Sequence, residues 1–188
     1  MGFLDKILGR KPKVEQPIVQ PIELPTETPK PKSKLTLEKK IGLNLEKMNL
    51  NLNETVFVLD VSGSMGDRIY GKEKIDSLRD IMEKYQDAKM ICFSTNVKSI
   101  NKASDIPDPS GSTDLAEALI YVGRNISPEP KKIVLISDGQ PDSKPKALLI
   151  AKELEIPIDI IFIGTSGTYS EKFMEELANA TGGKHFVV

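Results

Sequence analysis

The sequence predicts an α/β fold: a doubly wound, mostly parallel sheet flanked by helices, behind a disordered N-terminal tail. Three observations predict it. Runs that are apolar almost throughout recur at residues 56–60, 90–93, 133–137 and 157–163. Stretches with helical apolar spacing alternate with them, at 74–85, 115–122, 145–154 and 171–180. Strands without polar alternation are buried on both faces, and the intervening helices supply the cover. Third, polar clusters follow two of the runs, DVSGS at 60–64 and SDG at 137–139. Open sheets of this class bind ligands at the carboxyl ends of their strands.

Composition narrows the chemistry. The chain has 188 residues, enough for one domain plus extra segments. A net charge of −1 gives no basic surface for nucleic acid, and none is expected as a partner. No apolar run reaches the length of a transmembrane helix. One cysteine, Cys92, excludes an internal disulfide and a thiolate zinc site. One histidine, His185, excludes His-cluster metal sites. Any metal is therefore expected to be hard and oxygen-bound. The expected compartment is the cytoplasm: Asp5 and Lys6 interrupt Phe3, Leu4, Ile7 and Leu8, so no signal-peptide apolar region forms.

Residues 1–11 form a short amphipathic segment, with an apolar stripe at Phe3, Leu4, Ile7 and Leu8. It reads as an anchor that makes a second partner contact, to a protein ahead of a membrane surface, or else as a frayed terminus. Residues 12–34 hold six of the 13 prolines and read as a semi-rigid linker. At about 3.1 Å per residue it spans up to roughly 70 Å. Residues 1–34 carry a net charge of +3, leaving −4 for the remainder. Residues 35–53 contain LTLEK, LNLEK and LNL, whose local alternation favours an added strand or hairpin. Leu37, Ile41, Leu45, Met48 and Leu52 also lie near one helical face, but Gly42 weakens a helix.

The domain proper is expected over 54–188. After its first strand and helix comes a short edge strand at 97–101. Pro145 suits the first turn of the third helix. Ser170 is the expected cap of the fourth helix, and a last short strand covers 185–188. Cys92 lies within an apolar strand as inert core. Asp114 reads as a first-turn residue favoured by the helix dipole.

The clusters DVSGS at 60–64, GSTD at 111–114 and SDG at 137–139 hold the candidate metal ligands. They are expected to converge on one rim of the sheet, offering hydroxyls and carboxylates without imidazole or thiol. That donor set suits Mg²⁺ or Mn²⁺. In this combination the sequence resembles the von Willebrand factor type A (vWA) family, a Rossmann-like fold. DVSGS at 60–64, GSTDLAEAL at 111–119 and SDGQP at 137–141 match, in order, the elements of its metal-ion-dependent adhesion site. The resemblance covers residues 54–188. It implies that Ser62, Ser64 and Thr113 bind the ion directly or nearly so, while Asp60 and Asp138 act through water. It further implies a protein-binding adaptor, not an enzyme, with a partner's Glu or Asp as the last ligand. The family often adds a further helix after the position of Val188, so the rim there is expected to be less covered. The LEK-rich lead-in also resembles bacterial tellurium-resistance-type members.

Three rival readings have sequence support. Gly66–Lys72 nearly fits a phosphate-binding P-loop, but Glu73 stands where a magnesium-binding hydroxyl belongs. Ser62–Gly66 is one residue from a hydrolase nucleophile elbow, with His185 as the available base. A metal-free vWA scaffold is the third, its Asp and Ser residues serving only turns and caps.

Overall fold

The structure, a computed structural model, describes residues 35–188. The amphipathic segment at 1–11 and the linker at 12–34 lie outside the described residues.

The expected α/β architecture is present. The main strands are β1 (Thr55–Asp60), β4 (Lys89–Phe93), β5 (Val97–Ile100), β6 (Lys132–Ser137), β7 (Ile158–Phe162) and β8 (His185–Val187). They form one six-stranded sheet in the order β5-β4-β1-β6-β7-β8. All neighbours are parallel except β5, which pairs antiparallel with β4 at the edge. A separate two-stranded hairpin joins β2 (Arg68–Ile69) to β3 (Lys72–Glu73).

Alternate residues of each central strand serve two cores. Phe57, Leu59, Met90, Cys92, Val134 and Ile136 face the layer of α1 (Leu37–Met48) and α2 (Lys74–Met82). Val56, Val58, Ile91, Phe93, Ile133 and Leu135 face α3 (Leu115–Asn125), α4 (Lys144–Glu153) and α5 (Tyr169–Thr181). Burial of each large side chain contributes roughly 1.5–3 kcal/mol. Cys92 sits in the first core, where burial pushes its thiol up to about 12.

Residues 35–53 differ from the expected strand or hairpin. They form α1 and a short 3-10 turn at Leu52–Glu54. Leu37, Ile41, Leu45 and Met48 are all buried on one helical face, so the helical period prevails. Gly42 has a packing reason: a Cβ there would come within 3.1 Å of Ile81 Cδ1 on α2. The domain therefore begins before residue 54, because α1 is part of its core. Val188 is also buried in that core, whereas Val187 is exposed and both residues line an open cleft.

Two caps are corrected as well. Thr168, not Ser170, caps α5, its Oγ1 accepting from the Glu171 N–H at 3.3 Å. Asp114 is the N-cap of α3 rather than a first-turn residue, and accepts from the Glu117 N–H at 3.1 Å.

Candidate metal centre at the sheet rim

β1 and β6 are neighbours, but the chain leaves them toward opposite edges of the sheet. That reversal opens a crevice at their carboxyl ends. Asp60 ends β1 and Ser137 ends β6. The Asp60 side chain is fully buried and held at both oxygens. Oδ1 accepts the Ser62 N–H at 2.8 Å, and Oδ2 accepts the Ser137 hydroxyl at 2.5 Å.

Beyond Ser62, one 3-10 turn at Gly63–Gly66 carries Ser64 back toward the crevice. The Ser62 and Ser64 hydroxyl oxygens lie 3.3 Å apart. Ser64 Oγ donates to Asp138 Oδ1 at 2.8 Å. Thr113 arrives on the loop before α3. Its N–H donates to Asp142 Oδ1 at 3.1 Å, and the Asp142 N–H donates to the Thr113 carbonyl at 3.0 Å. Gly111 makes that loop possible: its φ is +76°, and a Cβ would come within 2.4 Å of Thr95 Oγ1.

Gly139 registers the convergence. A Cβ there would stand 3.5 Å from Thr113 Oγ1 and 3.8 Å from both Asp60 Oδ2 and Ser64 Oγ. Oxygens from two separate segments, 60–64 and 111–114, thus border one small space beside Gly139, on a third. Ser62 and Asp138 join the set through Ser64. Neighbouring ligands of an octahedral Mg²⁺ stand about 2.9 Å apart, given bonds of about 2.0–2.1 Å. The Ser62–Ser64 separation of 3.3 Å is close to that spacing, and the donors gathered here are all oxygen, the type a small hard cation takes.

Electrostatics point the same way. Burial pushes Asp60 up from 3.8 to about 6. Hydrogen bonds from Ser137 and Ser62 pull it back, and the nearby charge of Asp138 pushes it further up. A cation in the crevice would relieve both burial and like-charge repulsion. Among the described residues, no group of three or more His, Cys, Asp or Glu is placed to hold a metal. The rim set instead combines two carboxylates with three hydroxyls.

Three supporting residues hold this set, and sequence reasoning gave none of them that role. Ser137 fixes Asp60, Asp142 fixes Thr113, and Lys74 places its ammonium 2.7 Å from Asp138 Oδ2. Ser137 was visible inside the SDG motif; the other two carry no local signal. An open cleft of about 850 Å³ adjoins the rim, lined by Lys40, Arg68, Tyr70, Lys74, Asp138 and Thr168 among others.

The P-loop expectation fails on the backbone. Tyr70 and Gly71 both have positive φ, +53° and +88°, and form the two-residue turn between β2 and β3. A tight hairpin thus replaces the phosphate-cradling loop, and Lys72 pairs with Glu38 and Asp80. The hydrolase arrangement is likewise not assembled. His185 faces Glu171 at 3.6 Å, whereas the side-chain bonds of Ser62 and Ser64 run to each other and to Asp138. Met65 is fully buried, which makes it core, while Tyr70 is exposed.

No family model and no curated protein matches the chain. Solved structures do. A von Willebrand factor type A protein from Catenulispora acidiphila superposes with a TM-score of 0.58 at 14% identity, over 71% of this chain and 38% of that one. The chain has a von Willebrand factor type A fold. An aerotolerance-related membrane protein from Bacteroides fragilis, solved with multiple mutations to serine, is similar at a TM-score of 0.55 and 17% identity. That match covers 71% of this chain and 90% of the other. The manganese-loaded TRAP protein of Plasmodium vivax matches at a TM-score of 0.50 and 21% identity, over 69% and 64%. Among the described residues of this vWA fold, no helix is long and apolar enough to cross a membrane.

Proposed function

We propose that the chain is a divalent-cation-dependent protein-binding module, an adaptor rather than an enzyme. Asp60, Ser62, Ser64, Thr113 and Asp138 would hold Mg²⁺ or Mn²⁺, and a partner's Glu or Asp would complete the coordination. The observation that carries this reading is the convergence of Asp60, Ser64 and Thr113 oxygens over Gly139. The manganese-loaded neighbour of the same fold supports a divalent ion. Hydroxyl ligands leave the ion's charge under-compensated, which favours an external carboxylate. The adjoining cleft gives a partner segment room beside the rim. The resemblance of the LEK-rich lead-in to tellurium-resistance-type members supports a cytoplasmic setting for this module.

Amide chemical shifts test this reading. Mg²⁺ should move the signals of residues 60–66, 111–114 and 138–142. A capped glutamate peptide should then move them further, only with Mg²⁺ present. Absence of any Mg²⁺-dependent shift in these loops contradicts the reading. One observation favours the rival metal-free scaffold: Asp138 already has a cationic partner in Lys74.

A further inference from the structure

Lys74 is the first residue of α2, and its side chain turns back toward the rim. Its ammonium lies 2.7 Å from Asp138 Oδ2, 3.1 Å from the Ser64 carbonyl and 3.4 Å from Asp67 Oδ2. The Asp138 side chain is 1% exposed and that of Lys74 15%, whereas Asp67 is 71% exposed. The ammonium thus sits at the inner edge of the oxygen set, held chiefly by a buried candidate ligand. The position is unfavourable for the helix, because the N-terminal end of its dipole repels a cation. What compensates Lys74 is therefore the rim. Lysine also suits a displaceable contact: its charge is compact and its four-carbon stem flexible, without the fixed fork of arginine.

We propose that Lys74 is a tethered counter-cation that competes with the divalent ion for Asp138, and so sets the rim's metal affinity. This rests on the metal-binding reading above. In the metal-free chain, Lys74 neutralises Asp138 and keeps the oxygen set assembled. When an ion enters, two positive centres share one carboxylate, and their repulsion lowers occupancy. The ion then has to exceed a threshold concentration before the rim can recognise a partner's acid.

The test is Mn²⁺ titration by calorimetry of the full chain and its Lys74→Met and Lys74→Gln variants. Lys74→Gln keeps a hydrogen-bond donor near Asp138 while removing the charge. Both variants should bind Mn²⁺ about tenfold tighter or more. In EDTA, Lys74→Met should melt lower than wild type, and saturating Mn²⁺ should raise its midpoint by more than it raises that of wild type. If wild type binds Mn²⁺ and neither variant binds it more tightly, the competition is overturned while the metal-binding reading stands. Tight binding by the variants alone supports the competition most strongly. If none of the three proteins binds Mn²⁺, both readings fall.

Discussion

The Ser137 hydroxyl donates to Asp60 Oδ2 at 2.5 Å, joining the last residues of two neighbouring parallel strands. Both side chains are fully buried, so neither finds water as a substitute partner. The bond fixes one carboxylate oxygen at the point where the sheet opens into its crevice. The rim is thus organised from beneath by the strands and from above by the loops.

Ser137→Ala removes that donor and leaves a buried carboxylate under-satisfied. We expect the metal-free chain to lose about 1–3 kcal/mol. Urea unfolding in EDTA checks this, and Mn²⁺ affinity should weaken in the same variant.

Asp60 gives the metal-free chain a characteristic pH dependence. Its folded value of about 6 lies above the ordinary 3.8, so the folded state holds its proton more tightly. The associated stability is fully present below about pH 4 and is lost as pH rises through 6. At full ionisation the loss is on the order of 3 kcal/mol. Urea unfolding in EDTA between pH 4.5 and 7.5 should show this decline, and Asp60→Asn should flatten it. Metal binding runs in the opposite direction, strengthening as Asp60 ionises.

Gly139→Ala separates the cradle from the fold. The added methyl meets its neighbours at ordinary contact distances of 3.5 Å and beyond. The melting midpoint in EDTA should change little. The methyl nevertheless fills the space shared by Thr113, Asp60 and Ser64, so Mn²⁺ affinity should drop at least about tenfold by calorimetry. Unchanged affinity would place the ion elsewhere.

Ile41→Ala tests whether α1 belongs to the domain. Ile41 is completely buried between α1 and the shared core. Truncation should cost about 2–4 kcal/mol in urea unfolding. A surface-added segment would give almost no change.

The strands were legible because β1, β4, β6 and β7 are nearly continuous apolar runs, as burial on both faces demands. Their alternation with amphipathic helices then fixed the fold class, and the polar clusters after β1 and β6 pointed to the rim. The lead-in misled for a specific reason. Leu35 and Leu43 are exposed, and they create the period-two pattern with Leu37 and Leu45, which are buried. Removing those outer leucines leaves the helical spacing of α1. The cap at Thr168 was hidden by a second hydroxyl two residues later. Lys74 was illegible for a different reason: its partner Asp138 is 64 residues away. A lysine opening an amphipathic helix otherwise reads as surface.

The most direct test of the metal centre is thermal unfolding of the full chain across a series of Mg²⁺ and Mn²⁺ concentrations, beside Asp60→Ala. A cation that binds only the folded state raises the midpoint by mass action. The geometry at Asp60, Ser62, Ser64, Thr113 and Asp138 predicts a saturable rise with at least Mn²⁺ that disappears in Asp60→Ala. A midpoint that is flat with both ions, or an equal rise in the two proteins, would contradict it.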